Sequence, residues 1–186
     1  MMRSLSKTLH KISSGWVTLT GLFIFVLFTA LVLPQQSSQS EGVTEAVGTP
    51  DLSFYYSTDE LYDMAAAYGE DGRVDYIRAR FTFDIIWPVV YGIFLVTSIS
   101  WFTSRGFKET SIFQKANLIP VLAVLFDFLE NLSTSLVLYR YPSKTIVIDS
   151  LAPVFTTVKW LFVGGSFLLL LLGFGVWLFS ALRKEN

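Results

Sequence analysis

The chain contains no cysteine. Disulfide frameworks, thiol–disulfide chemistry, iron–sulfur clusters and cysteine-ligated zinc are excluded with it. A four-helix thiol oxidoreductase of the quinone-linked kind would lack its reacting groups. Histidine is nearly as scarce. His10 stands alone, so a multi-histidine metal site or a haem-ligating pair is excluded as well. Charge is sparse too: 16% of the 186 residues are Asp, Glu, Lys or Arg, against about 25% in a soluble domain. The net charge of −1 argues against a nucleic-acid partner. The sequence has no Walker loop, nucleophile elbow, zinc-protease helix or dinucleotide fingerprint. Neither a metal nor a cofactor is expected.

Apolar surface is plentiful instead. Apolar residues make up 52% of the chain, aromatics 16%, and the mean hydropathy is +0.52. They gather in four blocks: about Trp16 to Leu33, Phe81 to Phe102, Ala116 to Tyr139 and Leu151 to Leu182. Each approaches or exceeds the roughly 20 residues that carry a helix across a bilayer. The fold class expected is all-α, a single membrane domain of four transmembrane helices. The first block follows a basic start and has the outline of a signal peptide, but its exit, Leu31-Val32-Leu33-Pro34-Gln35, lacks a small-x-small cleavage pattern. An uncleaved span is the expectation. The fourth block exceeds the spanning length and is expected to tilt or to reach past the headgroups. Gly164, Gly165, Gly173 and Gly175 within it read as sites of close helix packing.

Basic residues give an orientation. Arg3, Lys7 and Lys11 precede the first span, Arg105, Lys108 and Lys115 lie between the second and third, and Arg183 and Lys184 follow the fourth. Four crossings put all three groups on one side, so both termini are expected in the cytoplasm of a multi-pass cell-membrane protein. The long loop of residues 35–80 falls on the other side and is rich in acid. Its first part, Gln35 to Pro50, is polar and expected to be mobile. Its second part carries a helix start. Ser57-Thr58-Asp59-Glu60 is a capping box, and Leu61, Met64, Ala65 and Tyr68 recur at helical spacing. A short amphipathic helix is expected over Thr58 to Tyr68, ended by Gly69, with a second start near Asp71 leading into the second span. Arg73, Arg78 and Arg80 are expected to pair with loop acids.

Ionisable side chains inside spans need partners. Asp84, Asp127, Glu130 and Lys159 are such residues. At 1.5 Å per residue, Glu130 and Lys159 lie at matching depths, roughly 13 and 12 Å from the outer ends of their antiparallel spans. Asp127, Glu130, Asn131 and Thr134 form one stripe of span three; Asp84, Pro88 and Tyr91 form one on span two; Thr156, Lys159, Val163 and Ser166 form one on span four. The candidate site is therefore Asp84, Tyr91, Asp127, Glu130, Asn131 and Lys159. Lys159 is expected to pair with Glu130 or Asp127, with Asn131 and Tyr91 adding hydrogen bonds. The acids outnumber the lysine. The surplus calls for a protonated carboxyl, a second cation, water or a ligand group. Asp84, close to the interface, is read as serving the loop helix or Arg80.

These residues also carry a resemblance. Tyr56-Ser57 to Glu60, Gly72-Arg73-x-x-Tyr76-Ile77, Phe83-Asp84-x-x-x-Pro88-x-x-Tyr91-Gly92, Pro120 with Phe126-Asp127-x-x-Glu130-Asn131, and Lys159-Trp160 resemble an uncharacterised family of small four-span membrane proteins found mainly in bacteria. The resemblance implies a four-helix membrane bundle and supplies no activity or catalytic residue.

Three function classes remain. The cluster binds the polar end of a small amphipathic molecule, such as a lipid, sterol-like compound or quinone, with or without catalysis. Alternatively it only fixes helix packing in a structural or assembly protein. The third class is proton or cation translocation, which the uncharged first span disfavours. The partner common to all three is the lipid bilayer. Oligomeric state is not legible.

Overall fold

The computed structural model describes residues 2–34 and 48–183. The loop stretch expected to be mobile lies largely outside the described residues, as does Lys184 of the basic tail. The protein is all-α: 85% of the described residues are helical, and no strand occurs among them. Helix α1 covers Met2–Ile12 and α2 covers Gly15–Leu27, continued by a wider turn over Phe28–Val32. A short 3-10 turn, Pro50–Leu52, precedes α3 (Thr58–Ala67), α4 (Gly69–Arg80) and α5 (Phe83–Gly106). A 3-10 stretch, Ile112–Leu118, leads into α6 (Ile119–Arg140), and α7 spans Ile148–Leu182.

Among the described residues, four helical stretches are long and apolar enough to cross a membrane: Gly15–Val32, Gly69–Gly106, Ile112–Arg140 and Ile148–Leu182. The exposure pattern is the reverse of a soluble protein's. Large apolar residues such as Leu19, Phe23, Leu168 and Leu171 stand exposed, while Asn117, Glu130, Thr134, Thr156 and Ser166 are fully buried. Hydrocarbon solvates the apolar exterior at no cost, whereas a polar group facing lipid would stay unsatisfied. Many buried hydroxyls bond back to the carbonyl four residues earlier, as Thr103 does to Ile99 (2.6 Å) and Thr134 to Glu130 (2.9 Å).

The residues sort into two compact units. The first comprises residues 1–27, 90–123 and 161–186. Its helices approach through glycine. A Cβ on Gly173 would lie 3.3 Å from Phe102 Cβ, and one on Gly106 would lie 3.2 Å from the Trp177 backbone nitrogen. Gly164, Gly165 and Gly175 differ from expectation: a Cβ there would meet open space. Their faces of α7 look outward, a direction that composition alone does not specify. Phe25 stacks on Phe94 at 4.6 Å between ring centroids. Asn117, fully buried, donates to Ser6 O and Ser100 Oγ, and His10 sets its two ring nitrogens 3.1 Å from Ser100 O and 2.7 Å from Gln114 O.

The second unit comprises residues 28–89 and 124–160. Here α3 begins as its residues dictate. Ser57 Oγ accepts from Glu60 N–H and the Glu60 carboxylate accepts from Ser57 N–H, so two free backbone donors are satisfied reciprocally. That bond holds the exposed Glu60 carboxyl below its usual range. The apolar face, Leu61, Met64 and Ala65, packs with Val137, Leu138 and Ala152 in the unit's core. Full burial of a side chain such as Leu61 contributes about 1.5–3 kcal/mol. The helix stops where Gly69 adopts φ +65, a left-handed conformation that a Cβ would disfavour. No ion pair of Arg73 with an acid occurs among the described residues. Arg73 donates to Ala65 O at 2.9 Å, occupying a carbonyl that the end of α3 leaves free, and stacks over Tyr141. The second helix begins at Gly69 itself and bends at Phe81–Thr82 before α5.

Two prolines sit inside helices, and each frees a carbonyl one turn earlier. Pro88 would have bonded Asp84 O; the Asn131 side chain donates there instead, at 3.3 Å. Pro153 would have bonded Asp149 O; the Thr58 hydroxyl donates there, at 3.4 Å. Both freed carbonyls are thereby tied to a neighbouring element.

Candidate functional site

The second unit gathers most of the candidate residues into one network. Glu130, at the middle of α6, is fully buried. Its Oε1 accepts from Thr156 Oγ1 at 2.7 Å, and its Oε2 is ion-paired with Lys159 Nζ. Lys159 and Thr156 are three residues apart on α7, so one helix face presents both. Beyond Thr156 stands Tyr56, its hydroxyl 3.1 Å from Thr156 Oγ1. Burial pushes the Tyr56 phenol well above the usual tyrosine range, outweighing the Thr156 hydrogen bond that lowers it; the Glu130 charge adds to the rise.

Lys159 also reaches Asp51 O at 3.4 Å and lies over the Trp160 ring. Asp51 belongs to the 3-10 turn opened by Pro50, and its carboxylate is ion-paired with Arg80. Arg80 in turn meets Asp84 Oδ2 at 3.0 Å and stacks over Tyr76, 4.4 Å from the ring centroid. Asp84 is joined through its carbonyl to Asn131, whose amide nitrogen also donates to Asp127 Oδ1 at 3.1 Å. A continuous polar chain results: Tyr56, Thr156, Glu130, Lys159, Asp51, Arg80, Asp84, Asn131 and Asp127. Arg80 is also within electrostatic reach of Glu130 and Asp127, and Asp84 within that of Lys159.

Of the six residues expected at the site, Asp84, Asp127, Glu130, Asn131 and Lys159 come together here. Lys159 takes Glu130 as its partner, one of the two alternatives. Asn131 serves Asp84 O and Asp127, while the hydrogen bond to Glu130 comes from Thr156. Tyr91 is buried and belongs to the first unit. Arg80 pairs with the loop acid Asp51 and with Asp84, both among the expected partners, while sequence reasoning missed Asp51, Thr156, Tyr56 and Arg80 as members of the buried network. Arg80 is the second cation that the acid surplus called for. A signal for Asp51 existed in Thr49-Pro50-Asp51, a helix-start pattern within a segment otherwise read as loop.

Two properties define what the network can do. The carboxylates of Asp51, Asp84, Asp127 and Glu130 face two cations, Arg80 and Lys159. In addition, Asn131 Oδ1 is buried without a hydrogen-bond donor among the described residues. The Asp84–Asn131–Asp127 end is thus rich in acceptors. No group of three metal-ligating side chains occurs among the described residues. No family model matches the chain, and neither a curated protein nor a solved structure matches it.

Proposed function

We propose that this multi-pass membrane protein binds a small amphipathic molecule through the buried network of α5, α6 and α7, with a hydrogen-donating or cationic head at Asp127 and Asn131. The observation that carries the reading is the Asn131 Oδ1 atom, buried beside Asp127 with no hydrogen-bond donor among the described residues. A buried acceptor without a donor costs about 1–3 kcal/mol, and a ligand head that supplies the donor recovers that cost. An apolar tail would lie along the lipid-facing helices. Ionisable groups inside a membrane are functional-site candidates on the same reasoning. Membership in the four-span family that the motifs resemble is part of this reading.

The orientation proposed places both termini in the cytoplasm. It is supported by the segregation of charge: Arg3, Lys7, Lys11, Arg105, Lys108 and Lys115 belong to the first unit, the acids of α3 and α4 to the second. The donor-deficient site then faces the outer half of the bilayer.

The test uses a fluorescent long-chain alkylamine as probe, with the protein in lipid nanodiscs. The wild type is expected to bind it at least about tenfold more tightly than Asp127→Asn or Asn131→Leu, because one charged hydrogen bond contributes about 1.5–3 kcal/mol. Equal binding by all three proteins refutes the proposal. A purely structural role is the second reading. It is favoured by Glu130, whose two oxygens are already taken by Thr156 and Lys159.

A further inference from the structure

Helix α1 is divided lengthwise into three stripes. Met2, Leu5, Leu9 and Ile12 share one face, Arg3, Lys7 and Lys11 a second, and Ser6, His10 and Ser13 a third. The third stripe is the docked one. Ser6 Oγ lies 2.8 Å from both Gln114 O and Asn117 Oδ1, and His10 bridges Ser100 O and Gln114 O. The apolar stripe is therefore turned away from the protein. Met2 is 64% exposed, Leu5 46% and Ile12 55%. Leu9 between them is half-buried, and water contact along the three exposed residues would be costly.

The neighbouring chain says what covers them. The α-helical pattern breaks at Ser13–Ser14, and the Ser14 hydroxyl accepts from Val17 N–H to start α2 afresh. The membrane span begins at Gly15, so hydrocarbon lies a few residues from Ile12. Trp16, 81% exposed, stands at that boundary, where an indole ring is favoured. The surface around α1 is strongly basic. Arg3, Lys7, Lys11, Arg105, Lys108 and Lys115 are all exposed, against one acid, Glu109, among the described residues of the unit. Arg105, Trp177, Ser180 and Ala181 line a shallow open depression on the same unit.

From this arrangement we infer that α1 is an interfacial helix that recognises anionic lipid. Met2, Leu5, Leu9 and Ile12 enter the acyl boundary, and Arg3, Lys7 and Lys11 meet phosphate groups of the leaflet that α2 enters. The hydrogen bonds of Ser6 and His10 hold the helix at the required rotation. The partner is a lipid surface of negative charge, and the contact is separate from the acid network of the second unit. Each basic side chain near such a surface is worth roughly fivefold in local affinity, so three together contribute about a hundredfold.

The absence of cysteine provides the experiment. Leu5→Cys and Lys7→Cys variants of the full chain are labelled with an environment-sensitive fluorophore and reconstituted into vesicles of phosphatidylcholine alone or with phosphatidylglycerol. The expected result is a Leu5→Cys label shielded from aqueous iodide and quenched by a lipid-borne quencher, more completely with phosphatidylglycerol and less at high salt. The Lys7→Cys label stays open to iodide. Adding Arg3→Gln, Lys7→Gln and Lys11→Gln to Leu5→Cys should abolish the difference between the two vesicle types. Iodide reaching both labels equally overturns the inference, and so does shielding of the Leu5→Cys label that is identical with and without phosphatidylglycerol. Alkylamine binding at Asp127 is unaffected by either outcome, so failure here leaves the network proposal standing.

Discussion

Replacing Lys159 by Met removes the ammonium and retains most of the aliphatic stem. Glu130 then keeps its Thr156 hydrogen bond at Oε1 and loses its Lys159 ion-pair partner at Oε2, at a position with no solvent access. Breaking a buried pair from one side costs about 3–5 kcal/mol. With about 2–4 °C per kcal/mol in a chain of this size, Tm falls by about 6–20 °C. Glu130→Gln strands the ammonium instead. Asp51 O still accepts from Lys159 at 3.4 Å, so this loss lies toward the lower end of the range. The double variant leaves neither charge buried alone and should recover most of the stability, with a coupling of about 2–3 kcal/mol between the sites. The assay is thermal unfolding in a mild detergent, followed by intrinsic tryptophan fluorescence. Single variants that melt within about 2 °C of the wild type would refute the reasoning, since that is the range of an uninvolved substitution. A double variant as unstable as the worse single one would refute the pairing.

Further predictions rest on other contacts. Asn131→Ala should destabilise by about 1–3 kcal/mol, and by less in a Pro88→Ala background, where the backbone supplies the donor to Asp84 O; a double-mutant thermal-unfolding cycle measures the difference. Ser57→Ala removes one arm of the capping box and should raise amide exchange in the first turn of α3, in keeping with a cap worth about 1 kcal/mol. The Glu60 carboxyl is depressed on folding, so its contribution is present above the ordinary carboxylate range, about 4.3, and is lost as pH falls below it; the protection factors of the Ser57 and Glu60 amides, corrected for intrinsic exchange, should fall accordingly. Gly106→Ala pushes a methyl against the Trp177 backbone and should lower stability by about 1 kcal/mol, whereas Gly164→Ala, facing open space, should gain about 0.5–1 kcal/mol of helix propensity in the same unfolding assay. Burial raises Tyr68 to about 12; an ultraviolet titration should show it ionising there, with stability lost as pH climbs from about 10 through that value.

Much of the candidate site was legible because helices convert spacing into direction. Asp127 and Asn131 are one turn apart, and so are Arg80 and Asp84; each pair interacts in the structure. Depth along antiparallel spans brought Glu130 and Lys159 to one level. The capping box of α3 was legible for the same reason, being a contact over three residues. Gly164, Gly165 and Gly175 were misread because residue size reveals that a close approach is possible, not which face of a helix has a neighbour.

The sequence by itself determined the four spans, the unfavourable burial of charge within them and the stripe on which each charge lies. These follow from hydrocarbon's refusal of unpaired polar groups and from a fixed rise and rotation per residue. Only the tertiary structure decided that Asp51, 108 positions before Lys159, would reach it, that Tyr56 would meet Thr156 across 100 positions, and that Arg80 would turn inward as the second cation. Such contacts depend on where a non-periodic segment crosses a finished helix surface. No local period encodes that place. It is fixed when the packed α3, the bend at Phe81–Thr82 and the buried carboxylates are satisfied together.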